Sequence, residues 1–347
     1  MREYVMTVLG PIESTDMGVT LPHEHLVMNF KSIYKEHRAA TDYAKAHEPV
    51  SLENLDWVRK HRFSNFDNLM LLNENVAIKE ALMFKQEGGQ TIIDVSNRNH
   101  GRDPRALARI SRATGLNIVM GAGYYWEKAW SADELEKGIE DFYEEFLKEI
   151  NDGVDETGIK IGVMGEIGCS WPLKEGEKKV LKAAGRAQKE TGVPINIHPG
   201  WNKRAPMEIL EILSAEGANL NSVIMSHVDR TLLTHESRCE VAKTGCYLEY
   251  DAIGREGYFD LDFIVDIPND NYRANEILKL MDAGFQNRIL LSCDVCTKDM
   301  CCTYGGHGYA HILRYFVPLL RKKGLTNDEI NTLIIDNPRN ALTIRPK

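Results

Sequence analysis

The sequence predicts an α/β protein built as a single (β/α)8 TIM barrel with an extended loop after strand 1. Three observations carry this expectation. Eight short apolar runs recur along the chain, and amphipathic helical stretches lie between most of them. Such alternation implies parallel pairing, because parallel strands need crossover connections. No glycine-rich phosphate turn follows the first run, as an open dinucleotide-binding sheet would show, and eight units favour closure into a barrel.

The runs are Val19–Leu21, Thr91–Val95, Asn117–Ala122, Ile161–Ile167, Pro194–Ile197, Ser222–Ser226, Cys246–Tyr250 and Ile289–Ser292. Between them, Glu74–Gln86 has a helical pattern that stops at Gly88-Gly89, and Pro104–Thr114 stops at Gly115. Glu177–Thr191 stops at Gly192, and Ala205–Glu216 stops at Gly217 with Pro206 in its first turn. Glycine ends helices well because it adopts the left-handed conformation without a Cβ clash. Asn29–Asn73 is longer than an ordinary strand-to-helix loop and reads as a lid-like insertion with some helix of its own. No linker divides the chain, so residues 1–347 are expected to form one domain.

With 43% hydrophobic and 27% charged residues, the chain has the balance of a soluble globular protein. A formal net charge of −9 argues against nucleic acid as a partner, since phosphate binding needs a basic face. No apolar run approaches the roughly 18 residues of a membrane span, and the first residues lack a secretory h-region. The expectation is a cytoplasmic protein with no membrane partner. Seven cysteines are an odd number and are scattered late, which is no disulfide framework. Cys293, Cys296, Cys301 and Cys302 resemble a thiolate metal site, but Cys293 ends an apolar run, and reduced structural thiols are the reading taken.

Catalytic groups of such barrels sit where strands end. The first run ends in His23-x-His25, a spacing that points both imidazoles to one side of a strand. The fourth carries Glu166, the fifth ends in His198, the sixth in His227 and the eighth in Asp294. Imidazole nitrogen and carboxylate oxygen are the donors that zinc and similar divalent ions take. Any one of these residues could be structural, a lone histidine packed at a strand end or an aspartate capping the next helix. Six of them at the same end of five strands describe a converging site. The other seven histidines, His100 and His307 among them, default to solvent or local hydrogen bonding.

These residues stand in longer motifs. Gly18–Leu26 (GVTLPHEHL), Gly165–Gly168, the His198 and His227 strand ends, Asp294, Tyr304–Tyr309 and Asn337-Pro338 resemble the phosphotriesterase family of the amidohydrolase superfamily, over essentially the whole chain. Gly165–Leu173, His198–Gly200, Met225–Arg230 and Gly245–Asp251 are similar to its phosphotriesterase-related branch. The resemblance implies a binuclear centre of two divalent ions, zinc first with manganese or cobalt as alternatives. In it His23, His25 and Asp294 would hold the buried ion, and His198 and His227 the exposed one. Organophosphate-degrading members bridge their ions with a carboxylated lysine. Here Lys160 lies six residues before Glu166, roughly 20 Å along an extended strand, so Glu166 is the natural bridge.

Two ions about 3.5–4 Å apart can share a bridging hydroxide as nucleophile, and Asp294 would move its proton to the leaving group. The expected reaction is hydrolysis of a small carboxylic ester, lactone or amide. The resemblance admits an N-acyl amino-sulfonate such as N-acetyltaurine. The alternatives are organophosphate triester hydrolysis and a non-catalytic ligand-binding barrel. The expected partner is a small, anionic substrate, and a homodimer is implied by the resemblance alone. Arg204, Trp201, Tyr125, Tyr250 and His307 are the candidate substrate contacts, with Arg204 as the cation that would take an anionic tail.

Overall fold

A computed structural model of the chain describes residues 3–36, 40–256, 259–260, 265–266 and 268–345. Eight strands form one sheet: β1 (Thr20–Glu24), β2 (Thr91–Asp94), β3 (Asn117–Ala122), β4 (Val163–Gly168), β5 (Ile195–His198), β6 (Val223–Met225), β7 (Tyr247–Tyr250) and β8 (Ile289–Leu291). Their hydrogen-bonded order is the chain order from β1 to β8, and every pair is parallel. Seven crossover helices return the chain: α1 (Glu74–Gln86), α2 (Pro104–Thr114), α3 (Ile139–Asn151), α4 (Glu175–Thr191), α5 (Ala205–Ala215), α6 (His235–Ala242) and α7 (Asp270–Asp282). Helical segments from Ile312 to Leu342 follow β8.

Local chemistry explains where the helices stop and start. The Asn73 side chain accepts hydrogen bonds from the Asn75 and Val76 N–H groups at the start of α1, and Asp103 does the same for Ala106 in α2. Gly115 and Gly192 end α2 and α4 at φ 65° and 76°, the left-handed conformation.

Strand alternation separates two cores. Ile93, Val119, Val163, Ile224, Tyr247 and Leu290 face the lumen, where they meet Val5, Met17, Ala341 and Leu342. Their neighbours Ile92, Ile118, Met120, Met164, Leu248 and Leu291 face the helices. The lumen is therefore packed, and its lower end is closed by the hairpin Tyr4–Thr7/Gly10–Glu13 and the last helix. Tyr4 also bridges to Ile344, which joins the two ends of the described chain.

Two strands break this alternation. In β4, Met164 pairs with Ile195 and Ile167 with Ile197, so three residues oppose two. In β1, Leu21 pairs with Ile92 and Glu24 with Asp94, the same surplus. Each bulge shifts the side-chain parity by one residue. Strict alternation would put Glu166 on the side of Met164, and His23 on the side of Leu21, facing the helices. The bulges turn both toward the axis.

β1 and β8 meet without a ladder; side chains close the seam instead. The Glu24 carboxylate accepts the N–H groups of Cys293 and Val295, both at 2.8 Å. Ser292 Oγ accepts the His23 N–H at 3.1 Å and lies 2.8 Å from the His23 carbonyl and 2.8 Å from Glu24 Oε1. All of these groups are buried.

The insertion after β1 folds back on itself, Met28–Asn29 pairing antiparallel with Met70–Leu71. It carries short helices Ala40–His47 and Leu55–Lys60; residues 37–39 of the insertion, His37 included, lie outside the described residues. Among the described residues no helix is long and apolar enough to cross a membrane.

Removing the Glu24 side chain should leave two buried N–H groups without acceptors. Each costs about 1–3 kcal/mol. Glu24→Ala, compared with the parent in denaturant titrations of the metal-free protein, should therefore lose several kcal/mol. A loss under about 1 kcal/mol would show that the seam is held elsewhere.

Candidate metal centre

The six strand-end residues meet at the upper mouth of the barrel. His23 and His25 arrive from β1, Glu166 from β4, His198 from β5, His227 from the turn after β6 and Asp294 from the turn after β8. His227 and Asp294 hold φ of 56° and 46°, a left-handed backbone that non-glycine residues adopt at a cost. Among the described residues two other non-glycine positions, Asp155 and Glu156, also hold positive φ, both away from this cluster.

Each inner imidazole is oriented from behind. His23 Nδ1 lies 2.9 Å from Glu249 Oε2 and 3.2 Å from Ser226 Oγ. His25 Nδ1 lies 2.9 Å from Ser96 Oγ. His227 Nδ1 lies 2.7 Å from Asp251 Oδ1, while the His227 N–H donates to Asp251 Oδ2 at 2.8 Å. In all three the Nε2 atom faces the centre. His25 Nε2 is 3.3 Å from Asp294 Oδ1, and His227 Nε2 is 2.8 Å from Glu166 Oε1. His198 turns its Nδ1 inward instead, 2.5 Å from Glu166 Oε1 and 2.8 Å from His227 Nε2.

His23 Nε2 tests whether a metal fits. It is buried and has no hydrogen-bond partner, yet Glu166 Oε1 stands 3.6 Å away and Asp294 Oδ1 3.8 Å away. Ligand atoms of His23, His25 and Asp294 lie within 4.8 Å of one another, and so do those of His23, Glu166 and His227. An orphaned nitrogen between two carboxylates, in a donor set of imidazoles and carboxylates, fits divalent cations. Glu249 and Asp251 also come within this range of His23, but each gives one oxygen to an Nδ1, Glu249 Oε2 to His23 and Asp251 Oδ1 to His227. They orient the imidazoles, as carboxylates behind metal-bound histidines do.

Electrostatics keep the donors ready. Burial opposes ionisation of Glu166, but the imidazoles of His198, His227 and His23 overcome it and hold the carboxyl well below its usual range. Burial likewise opposes Asp294, and Arg255 with His25 reverses the effect. Arg255 donates to Asp294 Oδ2 at 2.7 Å and to the Asp294 carbonyl at 2.8 Å. Burial pushes His198 down to about 3 against the pull of Glu166, so its ring stays neutral with a lone pair to give.

A cavity of about 40 Å³ opens above the cluster. Phe30, Ile33 and Phe63 of the insertion, Tyr125, Trp126, Trp201, Arg230 and Arg255 are among its walls. The Tyr125 hydroxyl is 3.4 Å from His198 Nε2. Gly168 makes this wall possible, because a Cβ there would lie 2.7 Å from the Tyr125 carbonyl carbon and the Trp126 nitrogen.

Of the expected substrate contacts, Tyr125 and Trp201 line the cavity, and three do not. Arg204 is exposed at the N-terminus of α5, where its backbone N–H donates to Asn202 Oδ1. Tyr250 is fully buried in the outer core, since alternation from Tyr247 in the lumen puts Glu249 inward and Tyr250 toward the helices. His307 lines a separate cavity of about 320 Å³ with Arg59, Arg62 and Arg255. His100 also departs from its default. It is fully buried against His25, Phe30 and Tyr125, without a hydrogen bond, and burial pushes it down to about 3. All seven cysteines are free thiols.

A closed α/β barrel with imidazoles and carboxylates converging at its upper mouth is the architecture of a metal-dependent hydrolase. The chain belongs to the phosphotriesterase family, whose model matches residues 3–342. It is 40% identical to an N-acetyltaurine hydrolase of Bos taurus over 343 residues, covering 98% of each chain. Among solved structures, a resiniferatoxin-binding protein from Rhodobacter sphaeroides superposes with a TM-score of 0.95 at 37% identity, covering 98% of this chain and 94% of that one. A lactonase from Listeria monocytogenes gives a TM-score of 0.80 at 25% identity, covering 99% of both.

Where a cation sits on the inward nitrogens, the orienting carboxylates should set how tightly it is held. Glu249→Gln is expected to weaken retention about tenfold to a hundredfold, read as metal content against graded chelator. Unchanged retention would reduce Glu249 to a packing residue.

Proposed function

We propose that this chain hydrolyses the amide bond of a small N-acyl substrate with an anionic tail, an N-acyl amino-sulfonate such as N-acetyltaurine first among them, at a centre of two divalent ions. The observation that carries the reading is His23 Nε2, buried, unpartnered and flanked by Glu166 and Asp294. The 40% identity to N-acetyltaurine hydrolases across 98% of the chain supports the substrate. Esters and lactones present the same acyl carbon and belong to the same reading.

His23, His25 and Asp294 would hold the inner ion, His198 and His227 the outer one, with Glu166 between them. Zinc is the proposed metal, and manganese or cobalt would suit the same donors. Ions bound there supply Lewis-acid polarisation of the acyl oxygen and acidify the attacking water. The chain's own residues do the rest. Asp294 accepts a proton from the attacking water and passes it to the amine nitrogen as the C–N bond breaks. Arg255 keeps the carboxylate ionised, so it holds that proton only in transit. The Tyr125 phenol is kept protonated by burial and stands beside His198 as a donor toward the acyl oxygen. Phe30 and Phe63 exclude water from the cavity.

A ligand-binding barrel without catalysis is the second reading, favoured by the solved binding protein at 37% identity. One experiment separates the two. Purified protein is analysed for metal and assayed against N-acetyltaurine, a lactone and an aryl phosphotriester. Two ions per chain and hydrolysis of the amide, lost on chelation and restored by zinc, are the expected result. Full activity with a single tightly bound ion would refute the binuclear centre. Binding without turnover of any substrate would hand the case to the second reading.

Glu166→Gln tests the bridge. A neutral amide bridges two cations poorly, so metal content should fall to about half, roughly one ion per chain, with activity lost. Metal assembly that depends on added carbonate would point to a carboxylated lysine and sink this assignment.

A further inference from the structure

Two guanidinium groups reach the cavity, and they are not equivalent. Arg255 is spent on Asp294, with its Nη2 at 2.7 Å from the carboxylate. Arg230 has no such partner. Among the described residues no carboxylate pairs with it, and its Nε is buried without an acceptor. Its guanidinium lies 4.6 Å from the centroid of the Trp201 ring. The short helix Val228–Thr231 that carries it is anchored by its neighbour Asp229, which accepts from Arg273 Nε at 2.7 Å. Asp229 Oδ2 is thus committed to Arg273, and Arg230 itself lines the cavity.

A second donor stands on the same wall. Trp126 Nε1 is buried and has no acceptor. The Trp126 ring lies 5.2 Å from the His198 ring and 4.7 Å from the Tyr125 ring. Arg230 and Trp126 line the same cavity as Tyr125, His198 and His227. At the rim, Lys128 lies 4.3 Å from the centroid of the Trp126 ring. In a chain of net charge −9, this wall is cationic. Buried donors without acceptors are costly unless a ligand supplies the acceptors.

We propose that Arg230, braced on Trp201, and the Trp126 indole N–H form the subsite that reads the anionic tail of the substrate, and that they favour a sulfonate over a carboxylate. The proposal rests on the acyl-hydrolase reading above and adds to it which side chains set the substrate class. An arginine lying along an aromatic ring presents its N–H edge as a fork, suited to two oxygens of an anion. A carboxylate fills the fork and has no third oxygen for the indole. A sulfonate has three, and can satisfy fork and indole together. The tail then sits on the His198 side of the cavity, with the acyl carbon directed toward Glu166 and Asp294.

The test uses the metal-loaded full chain and three amides of matched length: N-acetyltaurine, N-acetyl-β-alanine and the neutral N-propylacetamide. For Arg230→Gln, the fall in kcat/KM on N-acetyltaurine should exceed the fall on N-propylacetamide by about tenfold to a hundredfold, carried mainly by KM. Arg230→Lys, which keeps the charge and loses the fork, should fall between. Trp126→Phe should weaken N-acetyltaurine more than N-acetyl-β-alanine. Equal losses on charged and neutral amides would make Arg230 structural and overturn the proposal. Equal losses on sulfonate and carboxylate for Trp126→Phe would overturn the sulfonate preference. Calorimetric binding of ethanesulfonate, which has no bond to cleave, separates this proposal from the reading beneath it. Arg230-dependent binding with no hydrolysis of any amide would keep the subsite and discard the hydrolase. Hydrolysis of N-acetyltaurine with no Arg230 dependence would do the reverse.

Discussion

Glu249 and Asp251 stand two residues apart at the end of β7, fully buried, with an imidazole Nδ1 closing each. A carboxylate in so dry a place must have partners. By taking Nδ1 of His23 and Nδ1 of His227 they leave Nε2 as the inward atom on both rings. One strand therefore orients donors that come from two others, β1 and β6. The rest of the site is arranged around these fixed nitrogens. Glu166 can lie between His227 and His23, and Asp294 can close on His23 and His25, because the rings cannot turn.

Much of this was legible in the sequence. Runs of apolar residues ending in histidine or a carboxylate located the six converging groups, because strand ends of a parallel barrel face one way. The register of those groups was not legible. His23 and Glu166 reach the axis only through bulges in β1 and β4, and a bulge has no composition of its own. The boundaries of most elements fell within one or two residues, since glycine and asparagine caps act locally.

Proximity in sequence is a poor guide to which cation reaches the cavity. Arg204 follows His198 closely in sequence, but the chain turns into α5 and carries it to the surface. Arg230 follows His227 by three residues in a single helical turn, which returns it to the cavity that His227 faces. Tyr250 was a question of parity alone. Once Tyr247 is in the lumen, alternation places Glu249 inward and Tyr250 outward. Glu24, between two histidines of the first motif, carries no local sign of its role in closing the barrel, because its partners lie about 270 residues away.

The seam between β1 and β8 runs directly under the inner half of the cluster. His23 and His25 ride on one side of it, Asp294 on the other, and Glu24 with Ser292 spans the gap. A backbone ladder would tolerate the loss of one rung, whereas this join depends on a few side-chain contacts. Any breathing of the barrel is therefore concentrated where the three groups of the inner site must stay in register. On warming, the separation of His23 and His25 from Asp294 should widen before the remaining strands part. Heat would inactivate such a protein at temperatures where its helices and most of its sheet are still intact.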